Sequence, residues 1–170
     1  MYFCSQYRDI KDEDWKHRGC TISALWMGLK ILKEAISIKA YADVGFWKHD
    51  SIAILAHNHG VGAYNEEFKS RPFGIDTEYS ESILEYGINK IFNFVKNKEG
   101  VVIVSVPKAF KEIDKPHSVI IHDVAEEEGK RYFIYHDSEK DNEELGMNLR
   151  VDLDTFKEKW RRLGIFLSGI

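Results

Sequence analysis

Apolar residues Ile22, Leu25, Trp26, Leu29 and Leu32 recur at spacings of three and four, which predicts a helix over about 21–35. The residues before it show no such period. Asp9, Lys11, Asp12, Glu13 and Asp14 form a solvated charge run, so 1–19 reads as an extended lead-in, with Trp15 anchoring it to the body. Residues 36–46 carry mixed signals punctuated by Gly45. A second helix is predicted over about 50–58: Asp50 or Ser51 is the N-cap, Ile52, Leu55 and Ala56 form the apolar face, and Gly60 stops it. Residues 61–64 suit a short strand and 70–74, with Pro72 and Gly74, a turn. A third helix over about 80–96 places Leu84, Ile88, Ile91 and Val95 on one face, and Asn97 to Gly100 ends it.

The pattern then changes period. Residues 101–106 (VVIVSV) are almost continuously β-branched, the mark of a strand buried on both faces. Two more strands are predicted over 118–124 and 132–135, joined by the acidic turn 126–129. A short helix over 154–160, capped by Asp154, and a last strand over 164–168 complete the reading. Helices come first and antiparallel strands second, which is an α+β arrangement. The expectation is one domain over 1–170, helical to about residue 98 and sheet-forming from about 99. The helix that begins at Cys20 should pack on the sheet and leave a cleft.

Composition narrows the function. The chain has 170 residues, 44% hydrophobic and 31% charged, enough to fill one core. A net charge of -4 and a pI near 6.0 give no basic footprint for nucleic acid. The helices lack the Lys/Arg-rich face that binds membranes, and no apolar run reaches membrane-spanning length or resembles a signal peptide. The expected location is the cytoplasm. The two cysteines, Cys4 and Cys20, form no CxxC motif, so neither a thiolate zinc site nor a dithiol redox motif is expected. A disulfide between them is not expected in a reducing compartment.

Cys20 carries the candidate chemistry. It stands at the start of the first helix, where unpaired N–H groups and the positive end of the macrodipole favour a thiolate. A nucleophilic thiolate needs a base, and the base needs an orienting group. Of the seven histidines, His117 opens the 118–124 strand and is held rigidly at its mouth. Asp137 ends the next strand. The turn at 126–129 returns that end to the start of the first, so His117 and Asp137 should meet at one edge of the sheet. His122 has the opposite side-chain parity to His117, and His136 should point away from Asp137. His17 is a reserve base. His49, His57 and His59 lack a supporting carboxylate pattern and read as a polar helix end, so no metal site and no cofactor are expected.

The ordered segments Gln6, Trp15, 18–27 (RGCTISALWM), 100–106 (GVVIVSV), 116–121 (PHSVII), 132–137 (YFIYHD) and 156–160 (FKEKW) resemble the bacteriocin-processing, double-glycine peptidase family. That family lies within the papain-like cysteine peptidases. The resemblance spans most of the chain and implies a papain-like fold: a nucleophile helix packed on an antiparallel sheet. It implies Cys20 as nucleophile, His117 as general base and acid, Asp137 as orienter and Gln6 as oxyanion donor. It implies a peptide or small amide as partner, and an acyl-enzyme. Two positions depart from the family pattern. Thr21 stands where a glycine usually follows the cysteine, and Ser138 stands where a proline usually follows the aspartate. Thr21, beside the nucleophile, and Trp15, as a cleft wall, are the substrate-binding candidates. Transfer of the acyl group to an amine, or a non-catalytic peptide-binding role, are the alternatives to hydrolysis.

Overall fold

A strand that is apolar at nearly every position belongs in a sheet covered on both faces. The computed structural model describes residues 3–17, 19–32, 61–67 and 81–169. In chain order these form α1 (Gln6–Asp9), α2 (Glu13–Lys16), α3 (Cys20–Leu32), β1 (Val61–Glu67), α4 (Glu81–Lys96), β2 (Gly100–Lys108), β3 (Glu112–Glu127), β4 (Lys130–His136), α5 (Glu143–Gly146), β5 (Leu149–Asp152), α6 (Leu153–Lys159) and β6 (Leu163–Gly169). The strands make one six-stranded sheet in the order β1-β6-β2-β3-β4-β5. Every pairing in it is antiparallel. The fold is therefore α+β. No helix among the described residues is long and apolar enough to cross a membrane.

Alternation along β2 divides the interior into two cores. Val102, Val104 and Val106 join Val119, Ile121, Phe133 and Phe166 beneath Leu84, Ile88, Ile91 and Val95 of α4, with Phe156 of α6 and Trp160 completing that side. Val101 and Ile103 join Ile120, Ile165 and Leu167 beneath Ile22, Leu25 and Leu29 of α3. Each such side chain contributes about 1.5–3 kcal/mol when fully buried. Trp26 packs at the margin of the second core, with the Lys30 ammonium 5.2 Å from its ring centre. Gly28 lets α3 lie close to the sheet: a Cβ there would stand 2.6 Å from Ile120 Cδ1 and 2.8 Å from Leu167 Cδ1.

Several boundaries differ from those predicted. The lead-in is not extended throughout, because Ser5 and Asp12 cap two one-turn helices. Ser5 Oγ accepts from Arg8 N, and Asp12 Oδ1 accepts from Asp14 N at 3.0 Å and Trp15 N at 3.2 Å. The division into a helical half and a sheet half fails at β1, which pairs with β6 from the far end of the chain. β3 begins at Glu112, so His117 lies inside the strand and does not open it. The extension runs through Pro116, which faces Pro107 of β2, and neither proline has an N–H for the ladder. α6 is capped by Asp152, not Asp154, through Thr155 N at 2.9 Å. β5 and α5 were not anticipated. The segments read as mixed (36–46), as a helix (50–58) and as a turn (70–74) lie outside the described residues.

Candidate active site

The first turn of α3 meets the middle of β3 at one end of the sheet. Cys20 is the first residue of α3, so its backbone N–H has no acceptor within the helix. Gly19, just before it, accepts Ser23 N at 2.8 Å and lies against the Trp15 carbonyl, which a Cβ would approach to 2.7 Å. The Cys20 thiol is half-buried, and Cys4 is a separate, buried free thiol. Burial pushes Cys4 up to about 12, which leaves it a neutral core residue.

His117 comes to Cys20 from β3. Its Nε2–H donates to Asp137 Oδ1 at 2.6 Å, with both side chains only 5% exposed. That leaves Nδ1 as the ring nitrogen for the hydrogen bond to Cys20. Asp137 follows the last residue of β4, where its N–H donates to Gly146 O of α5 at 2.8 Å. Its carboxylate also accepts Glu139 N at 2.9 Å. The imidazole is thus tied through Nε2 to a fixed carboxylate, and Nδ1 is the nitrogen left for the thiol.

The charges are coupled. Burial works against a Cys20 thiolate. The hydrogen bond and charge of His117, then the Ser118 N–H and the Thr21 hydroxyl, outweigh it and hold the thiol below its ordinary value. Burial also favours a neutral His117. The bonds to Asp137 and to Cys20 outweigh that and raise the imidazole to about 9. Both shifts run in the direction of a thiolate beside an imidazolium.

Gln6 is buried within reach of the same loop. Its backbone N–H donates to Ser138 O at 2.8 Å, and its side-chain Oε1 accepts Ser138 Oγ–H at 3.1 Å. Its Nε2 gives one hydrogen to Lys16 O at 2.9 Å, leaving the second. Ser138, which follows Asp137, thereby links Gln6 to the aspartate. Thr21 Oγ1 lies 2.8 Å from Ser118 Oγ and 3.9 Å from Cys20 Sγ. Trp15 is partly buried and packs on the α3 side of the core, as an anchor. His17 is exposed, with its ring edge-on to Tyr7. His49, His57 and His59 lie outside the described residues.

Three contributors carry no sequence signature: Ser118, Ser138 and Glu139. Each is a polar residue next to, or two places from, a conspicuous one. Only the folded backbone turns them inward. His117, Asp137 and Glu139 bring ligand-capable atoms within 4.8 Å of one another. Those atoms are already engaged, His117 with Asp137 and Glu139 with the Lys108 ammonium, so no metal is assigned there.

No protein-family model matches the chain, and no curated protein matches it in sequence. Solved structures do resemble it. One is the peptidase domain of Streptococcus ComA, a bifunctional ABC transporter involved in a quorum-sensing pathway. It is 16% identical over 100% of both chains, with a TM-score of 0.61. Another is a double-glycine motif protease from an AMS/PCAT transporter, in complex with the leader peptide. It is 14% identical over 89% of this chain and 84% of that one, with a TM-score of 0.54. At such identities the likeness speaks for architecture. The chain has the papain-like fold of double-glycine peptidase domains.

Proposed function

We propose that this protein is a cysteine peptidase that cleaves a peptide or small amide bond through an acyl-enzyme. The observation that carries the reading is the buried His117–Asp137 hydrogen bond of 2.6 Å, made by the imidazole that holds the Cys20 thiol below its ordinary value. The Cys20 thiolate adds to the carbonyl carbon, and the imidazolium of His117 gives its proton to the leaving amine. The neutral ring then takes a proton from water. The resulting hydroxide attacks the thioester, Cys20 leaves as thiolate, and His117 is again imidazolium. Asp137 holds the ring in orientation throughout.

The oxyanion needs donors already in place. The Cys20 backbone N–H at the head of α3 and the second Nε2 hydrogen of Gln6 are the proposed pair. Gln6 suits the task because Ser138 and Lys16 fix its amide. Thr21 stands beside the sulfur and would border the acyl group; Trp15 is the proposed wall of the approach. The leader peptide held by the second structural neighbour supports a peptide as substrate. The reaction as written uses neither metal nor cofactor.

Alkylation with iodoacetamide and substitution of Cys20 test the reading. Wild-type Cys20 should label rapidly at neutral pH. Cys20→Ala and Cys20→Ser should lose peptide cleavage by about a thousandfold or more. Cleavage that survives Cys20→Ala, or a thiol that labels no faster than free cysteine, would overturn it. Products formed with an added amine separate acyl transfer from hydrolysis.

A further inference from the structure

Cys20 and Thr21 are neighbours on α3, His117 and Ser118 are neighbours on β3, and the structure lays one pair against the other. The His117 ring and the Ser118 backbone N–H both favour the ionised form of Cys20. The side chains of the two remaining positions meet as well: Ser118 Oγ is 2.8 Å from Thr21 Oγ1. Ser118 is buried, so its hydroxyl needs an internal partner, and Thr21 is that partner. Thr21 Oγ1 in turn lies 3.9 Å from Cys20 Sγ, at the outer reach of a hydrogen bond to sulfur.

Each hydroxyl has one hydrogen to give. When Ser118 gives its hydrogen to Thr21 Oγ1, the hydrogen of Thr21 is free to turn to the sulfur. We propose, on the reading of Cys20 as nucleophile, that Thr21 and Ser118 are positioning residues joined in a hydroxyl relay: Ser118 Oγ–H donates to Thr21 Oγ1, and Thr21 Oγ1–H donates to the Cys20 thiolate. A hydrogen bond to an ionised acceptor is stronger than one to a neutral acceptor, so the relay favours the thiolate over the thiol. It also clamps the first turn of α3 to β3 next to His117, which fixes the separation of sulfur and imidazole. The side chain after the nucleophile is thereby drawn toward the sheet by its own hydroxyl.

The test is the pH dependence of iodoacetamide alkylation at Cys20, followed by peptide mass so that Cys4 is counted separately. Thr21→Val replaces the hydroxyl by a methyl group of similar size. It should move the inflection up by about one pH unit, the equivalent of one charge-assisted hydrogen bond. Ser118→Ala, which breaks the relay from the other side, should move it in the same direction, and Thr21→Ser should restore the wild-type profile. Thermal melts establish that each variant is folded. The relay is overturned when folded Thr21→Val or Ser118→Ala keeps the wild-type inflection. It is equally overturned when Thr21→Ser shifts as far as Thr21→Val, because shape then matters and the hydroxyl does not. A wild-type protein with no low inflection overturns the nucleophile reading and the relay together. A low wild-type inflection that the variants do not move overturns the relay alone.

Discussion

His136 turns its ring away from Asp137 and onto His122, with ring centroids 4.1 Å apart and planes inclined by 37°. His136 Nδ1 accepts the Asn148 N–H at 3.1 Å, so protonating that nitrogen breaks the bond. Burial, then the neighbouring His122, push His136 down to about 4. Burial also lowers His122, against the pull of Asp123 and of Asn148, with the Lys98 charge adding to the drop. In the unfolded chain both rings return to about 6.5. The unfolded state therefore binds protons more readily, and stability from this pair is complete above about pH 6.5 and lost as pH falls toward about 4. Urea unfolding at pH 7 and pH 5 should show a marked fall in midpoint for wild type and a smaller fall for His122→Phe, which removes one of the two titrating rings. An equal fall in both would place the acid sensitivity elsewhere. The parity of a strand was enough to set His122 apart from His117. Nothing in the sequence shows that His122 and His136 stack, because that depends on the register break between Ile121 and Asp123.

α3 is held to the sheet by side-chain packing, and at Gly28 there is no room for a side chain between them. Valine at this position would gain some helix propensity over glycine. It would also drive methyl groups into Ile120 and Leu167. Overpacking of this kind costs about 1–3 kcal/mol and here has a direction, lifting α3 away from β3. Gly28→Val should therefore lower the urea midpoint and slow alkylation of Cys20 in the folded protein. A variant that is destabilised yet alkylated at the wild-type rate would show that the helix start is fixed independently of its middle. α3 and α4 were legible because each is long enough to repeat an apolar face, and Leu84, Ile88, Ile91 and Val95 lie where the spacing put them. α1, α2 and α5 have four residues each, too short for a period to show. β5 is equally short, and Pro116 hid the first part of β3.

The described residues form one sheet with a core on each face, and α3, which begins at Cys20, lies over one of them. Connectivity alone placed His117 near Asp137, because a hairpin returns the end of one strand to the start of the next. Gln6 was reachable only by resemblance, since its contact with Ser138 joins positions 132 residues apart and leaves no local trace. β6 sends neighbouring side chains to opposite faces. Phe166 lies in the α4 core, edge-on to Phe94 at 5.1 Å, while Leu167 lies in the α3 core against Gly28. Both side chains are fully buried. Phe166→Ala should cost about 3–5 kcal/mol and Leu167→Ala about 2–5 kcal/mol, so the losses of stability are comparable. Their effects on the site should differ. At a temperature where both variants are folded, Leu167→Ala leaves a cavity under α3 and should slow Cys20 alkylation, whereas Phe166→Ala leaves the α3 face intact and should label like wild type. Equal slowing by both would mean that the two faces of the sheet respond as one body, and that the position of Cys20 is set by the sheet as a whole.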